Sequence, residues 1–263
     1  VGVACQAIAI ALVLQIPLTV AYVVGLPLAA WIIYLTDHVL DVYKNVQTQL
    51  SSRHEFVRKH YNYILGLLLL LIATCSFLLF AAQSQQLFFG AISIALLCAA
   101  YLVLTFTAPA QWQWLYNKEL LVAFVYSAAL WIYPVMLFGI TTTITWGFFI
   151  GCAAAYVNLL MLSIMEQKED LRQNRFSWVI ILGRQRAIHL YNILTITSLF
   201  ISATAAIHVG QFDFTVLMSC YATNILLHYL LSTKFNSMNH QTIRIISELL
   251  FWLPIIILLY KIL

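Results

Sequence analysis

The sequence predicts an all-α fold, a polytopic transmembrane bundle of about nine helices forming a single domain over residues 1–263. Three observations predict it. Hydrophobic residues make up 63% of the chain and charged residues 8%, with mean hydropathy +0.93. A soluble domain carries about a quarter charged residues, so these few charges cannot build a water-facing surface, and the solvent is a bilayer. Apolar runs of membrane length recur along the chain. The charges gather on alternate connections between those runs.

Reading apolar runs of roughly 17–25 residues as spans places helices near 17–36, 62–82, 86–107, 120–139, 143–165, 186–208, 212–231 and 246–262. The opening segment VGVACQAIAIALVL, residues 1–14, is too short to cross alone. It reads as the remainder of a first span in a chain that starts at Val1 without an initiator methionine, which brings the total to nine. Cys5, Cys75, Cys98, Cys152 and Cys220 all lie inside apolar runs without metal-ligand spacing, as small core residues do.

If the helices alternate, the connections and helix edges at 37–61, 108–119, 166–186 and 232–248 share one side. They hold 12 of the 13 Lys and Arg residues and eight of the nine acids. The opposite connections, AAQSQQ, GITTTIT and HVGQFD, carry a single acid, Asp213. Positive-inside reasoning puts the charged face and the N-terminus in the cytoplasm. It also accounts for the formal charge of +4 without a nucleic-acid partner.

Two apolar runs end in acid doublets. IIYLTDHVLDVYKN (32–45) carries Asp37 and Asp41; MLSIMEQKEDLRQN (161–174) carries Glu166 and Asp170. Residues four apart share a helix face, so each doublet projects as a pair. Such pairs suit Mg²⁺, which keeps part of its water shell and bridges to phosphate oxygens. Negative charge is disfavoured at a helix C-terminus, and a bound cation offsets that cost. The competing reading is that carboxylates at these positions only mark the membrane interface. Lys44, Arg53, Arg58, Lys59, Lys118, Arg172, Arg175, Arg184 and Arg186 flank these ends and could neutralise a polyanionic head group.

From SIMEQKEDLRQNRFSWVIILGRQRA onward, the sequence resembles the UbiA superfamily of intramembrane prenyltransferases. Members have nine helices and two aspartate-rich motifs, after helices 2 and 6. Glu166 and Asp170 fall on the acids of the second motif, Arg172 and Arg175 on its basic segment, and SWVIILG (177–183) on the aliphatic-Gly stretch that follows. LYNKELLVAFVYSAALW (115–131) is similar to the connection before helix 5. TDHVLDVYK stands at the first motif, with Thr36 for its Asn, Leu40 at its middle Asp and Lys44 at its last acid.

The resemblance implies transfer of a prenyl group from a prenyl diphosphate to a lipophilic, aromatic or similar acceptor within the membrane. It implies Mg²⁺ as the cofactor, held by Asp37, Asp41, Glu166 and Asp170. Lys44, Lys118, Arg172 and Arg175 would bind the diphosphate. Aromatic rings would shield an allylic cation, and the chain has 16 Phe, 14 Tyr and 7 Trp. No obligate protein partner is implied beyond the membrane lipids.

Within the spans, Asn158 lies two turns before Glu166 on the same stripe. It is read as a substrate contact or an interhelical bond, and Tyr126 as a cavity liner or a packing residue. Asn224 and His228 read as interhelical hydrogen-bonding groups. Two alternatives stay open: a relative that has lost catalysis, motivated by Leu40 and Lys44, and a small-solute or ion transporter. A transporter predicts acids at mid-membrane depth, and the spans as bounded here contain essentially none.

Overall fold

The computed structural model describes residues 2–44, 52–107, 117–172, 177–234 and 238–262. The side chains of Asp41, Lys44, Arg53, His54 and Arg172, and the whole of Arg175, lie outside the described residues. Among those described, the chain is helical and contains no strand. The helices are α1 (Gly2–Leu14), α2 (Val20–Lys44), α3 (Ser52–Lys59), α4 (Tyr61–Ala81), α5 (Gln85–Thr107), α6 (Lys118–Phe138), α7 (Thr142–Arg172), α8 (Trp178–Leu182), α9 (Arg184–Val209), α10 (Phe212–Ser232), α11 (His240–Leu250) and α12 (Ile255–Ile262).

Seven of them, α2, α4, α5, α6, α7, α9 and α10, are long and apolar enough to cross a membrane. An eighth span is present if α11 and α12, bent by 43° at the break between them, count as one. Pro254 sits in that break. Its ring removes a backbone N–H and crowds the carbonyl four residues back, which ends α11 where the sequence predicts a continuous span over 246–262. The apolar helix α1 has 13 residues, short of a full crossing.

Helix α7 is the centre of the bundle and packs against α6, α9, α10, α8 and α11. Its 31 residues rise about 46 Å, well beyond the ~30 Å hydrocarbon core. The last turns, with Glu166 and Asp170, therefore project out of the apolar layer rather than ending at 165. Helix α2 likewise runs on to Lys44. Helix α4 buries only Ile64, Leu68 and Leu71, and its remaining apolar surface is what a lipid-facing helix presents.

The α6–α7 seam shows how helices associate without a hydrophobic drive between them. Gly147 and Gly151, spaced as small-x-x-x-small, let the backbones approach. A Cβ on Gly147 would overlap the indole of Trp131, and one on Gly151 would stand 3.3 Å from Ser127 Oγ. The Ser127 hydroxyl donates to the Phe148 carbonyl at 2.6 Å. Nearby, Tyr22 Oη on α2 donates to the Leu130 carbonyl at 2.8 Å, tying α2 to the same core.

After α7 the chain folds back under its own end. Gln167 Nε2 donates to the Val179 carbonyl at 3.3 Å, and Arg184 Nη1 reaches the Ile164 carbonyl at 3.4 Å. Gly183, with φ of 77°, supplies the left-handed residue that separates α8 from α9.

Candidate functional site

The N-terminus of α6 joins the two acidic helix ends. Asn117 caps it, accepting from the Leu120 N–H at 2.9 Å and donating to Tyr156 Oη on α7 at 2.6 Å. This fixes Lys118 and Glu119 at the start of the helix. Lys118 Nζ lies 3.8 Å from Asp37 Oδ1 of α2. Glu119, 9% exposed, accepts from Ser163 Oγ of α7 at 2.8 Å. One turn further along α7, Glu166 is ion-paired with Arg244 of α11. The charged ends are thus linked by ion pairs between α2 and α6 and between α7 and α11, and by hydrogen bonds between α6 and α7.

Below this level lies a cavity of about 440 Å³, walled by α1, α2, α6, α7, α11 and the bend after α11. Val122 and Tyr126 of α6, Asn158 of α7 and Glu248 of α11 line it. The helical register ties each wall to a charge above. Lys118, Val122 and Tyr126 share one stripe, as do Asn158, Leu162 and Glu166, and as do Arg244 and Glu248. At 1.5 Å per residue, the polar cavity residues sit about 6–12 Å beneath the paired charges. The result is a largely apolar chamber under an ionic rim.

Two of the predicted substrate contacts, Tyr126 and Asn158, are brought together in this chamber. Asn158 Oδ1 is buried and has no hydrogen-bond partner. An orphaned amide oxygen at this depth costs free energy unless a ligand or water fills its lone pairs. Lys118 stands beside Asp37. The predicted side chains of Asp41, Lys44 and Arg172, and residue Arg175, lie outside the described residues.

The described acids are not gathered into a cage. Asp37 faces Lys118, Glu166 faces Arg244, and Asp170 lies partly buried at the end of α7. Among the described residues, no three of His, Cys, Asp or Glu stand together as metal ligands. In this arrangement the described carboxylates do not fit a preformed Mg²⁺ site, because basic side chains occupy the positions a cation would take beside Asp37 and Glu166.

His38 is engaged locally, its Nδ1 3.0 Å from the Tyr34 carbonyl. His228 Nδ1 lies 2.8 Å from the Asn224 carbonyl within its own helix.

Three functional-site residues escaped sequence reasoning: Glu119, Arg244 and Glu248. The last two stand four apart on α11, next to the buried Ile243 and Ser247. That i, i+4 charge spacing beside an apolar stripe was the available signal. It also changes the acid inventory, since α11 opens at His240 and places Glu248 two turns into a helix of the bent span. Comparison of the chain with known protein families, curated proteins and solved structures finds no match.

Proposed function

We propose that the chain is a UbiA-like bundle of about nine spans with its charged face in the cytoplasm. It transfers a prenyl group from a prenyl diphosphate to a lipophilic acceptor inside the membrane. The observation that carries this reading is the stacking of an ionic rim on an apolar chamber, with each charged stripe leading down into the cavity wall. A prenyl diphosphate has the same division, a polyanionic head on an apolar chain.

Lys118 and Arg244 are the rim cations, and a diphosphate competes for them with Asp37 and Glu166. Transfer breaks the bond between the first prenyl carbon and the diphosphate oxygen. It forms a bond from that carbon to the acceptor, which gives up a proton, and diphosphate leaves. Cations at the leaving group favour this ionisation electrostatically. Mg²⁺, implied by the sequence resemblance, needs Asp37 and Glu166 released from their basic partners. The proposed metal set remains Asp37, Asp41, Glu166 and Asp170.

A second reading has its own support. The ion pairs at Asp37 and Glu166, together with Leu40 and Lys44 in the first motif, suit a relative that binds the amphiphile without turning it over.

The test is diphosphate release by the full chain in lipid nanodiscs, with Mg²⁺, a panel of prenyl diphosphates and a lipid extract as acceptor source. Mg²⁺-dependent release with a prenylated product supports the transferase. Binding without release supports the silent relative. No binding of any prenyl diphosphate sinks both.

A further inference from the structure

Two cations of the charged face take no part in the rim. Arg58 and Lys59 stand exposed at the end of α3. Their side chains make no ion pair or hydrogen bond among the described residues. Even Glu55, one turn before Lys59, is not paired with it.

The packing of α3 says where these cations point. Leu35, Val39 and Val42 of α2 cluster with Val57 of α3 and Ile64 of α4. The same antiparallel register sets Cys75 Sγ 3.9 Å from the Gly25 carbonyl. The His60 N–H donates to the Phe56 carbonyl and the Ile64 N–H to the His60 carbonyl, each at 3.0 Å. Helical bonding thus carries from α3 into α4, and α3 rises along α2 as an extension of α4. Val57 is turned toward α2. Each further residue rotates by about 100° around a helix, so Arg58 and Lys59 turn away from α2 and its Asp37.

Their height follows from α4. Its 21 residues rise about 31 Å, the thickness of the hydrocarbon core, so Tyr61 stands at the boundary. Arg58 and Lys59 lie about 3–5 Å beyond it, in the head-group layer. Tyr63, 81% exposed, lies just inside, as interfacial tyrosines do. Glu55 stands about 6 Å farther out than Lys59. From the hydrocarbon outward the order is tyrosine, two cations, acid. Positive charge meets the lipid phosphates, and the carboxylate is held away from them.

We propose that Arg58 and Lys59 bind the head group of an anionic phospholipid in the leaflet at the charged face, beside Tyr63. The site is separate from the diphosphate rim and does not depend on the transferase reading. Charge complementarity names the occupant. An anionic head group gains from two cations that no carboxylate neutralises, whereas a zwitterionic lipid already carries its own cation.

The full chain in detergent is titrated with phosphatidylglycerol and with phosphatidylcholine of the same acyl chains, and native mass spectrometry counts the lipid bound. Phosphatidylglycerol is expected to bind roughly fivefold more tightly for each cation engaged. Arg58→Gln and Lys59→Gln each lose about that factor, the double variant loses both, and Glu55→Gln strengthens the preference. Inorganic diphosphate with Mg²⁺ is expected to leave this lipid in place. If diphosphate displaces it, the two cations belong to the rim and the proposal is overturned. An unchanged preference in the double variant overturns it as well.

Discussion

Helix α7 carries two levels of one stripe, built by opposite means: Gly147, Gly151 and Asn158 stand nearly in line along it. Toward α6 it presents Gly147 and Gly151, and Trp131 and Ser127 fill the space that the missing side chains leave. Its polar contact there, Ser127 to the Phe148 carbonyl, is made within the protein. Further along, at the cavity, it presents Asn158, with an unpartnered oxygen, and then Glu166, ion-paired with Arg244. The first level is tightly packed; the second leaves space beside a polar group. In lipid, helices associate through packing and a few hydrogen bonds. The seam therefore holds the bundle together, and the cavity level can remain incomplete without unfolding it. Substitutions at one level are expected to move stability, and at the other to move ligand response.

The sharpest way to break this division is Gly147→Leu. The side chain has nowhere to go but into Trp131, and a loss of about 3 kcal/mol or outright failure to fold is expected. Thermal aggregation in detergent measures it, and an unchanged melting profile would show that the seam is not where stability resides. Next comes Glu166→Gln. On the proposed function, diphosphate release drops at least about 100-fold, roughly 2.7 kcal/mol in barrier. Stability shifts by under about 1 kcal/mol, since the pair is partly exposed. Asp170→Asn is expected to behave the same way. A variant that folds and turns over normally removes that residue from the machinery.

Asn158→Leu sharpens the comparison from the other side. Removing a buried oxygen without a partner leaves the protein as stable as before or about 1 kcal/mol more stable, while binding of a prenyl diphosphate falls. Clear destabilisation, read from the same melting profiles, would instead make Asn158 a structural residue. The smallest expected effect is Ser127→Ala, about 0.6 kcal/mol, the typical worth of an interhelical bond in a membrane. A larger loss would mean the hydroxyl anchors more than the Phe148 carbonyl.

How much of this was legible beforehand depends on what kind of fact it was. Hydropathy located α4, α5, α6, α9 and α10 to within two residues at each end, because apolar run length is set by the bilayer. It misjudged the ends of α2 and α7, since a helix can outrun the apolar layer it crosses. It also joined α11 to α12 across Pro254, as a window average cannot register one missing N–H. Tyr126 and Asn158 were legible as inward-facing residues, because polar groups in spans face inward, but whether each serves the cavity or a helix contact was not. The chamber itself was not, being space left between helices remote in sequence. Arg244 and Glu248 sat in a segment read as a connection edge, and their importance comes from Glu166 and Asn158, which only the packing brings near. The pairing of Asp37 with Lys118 could not be told from spacing either, since the lysine lies 81 positions away.

The bent pair α11–α12, counted as one span, is fastened at both ends. Arg244 holds α11 to Glu166 near the charged face, and Lys261 Nζ holds α12 to Asp213 Oδ2 at 2.6 Å on the opposite face. Between these two moorings lies the kink at Pro254, with Phe251 and Trp252 on the chamber wall. Both moorings are partly open to solvent and so subject to ionic screening. In a sealed vesicle, salt raised in the lumen alone slackens one fastening and salt raised in the bath alone slackens the other. A solvent-sensitive dye on the kink would then report from which compartment each end is held.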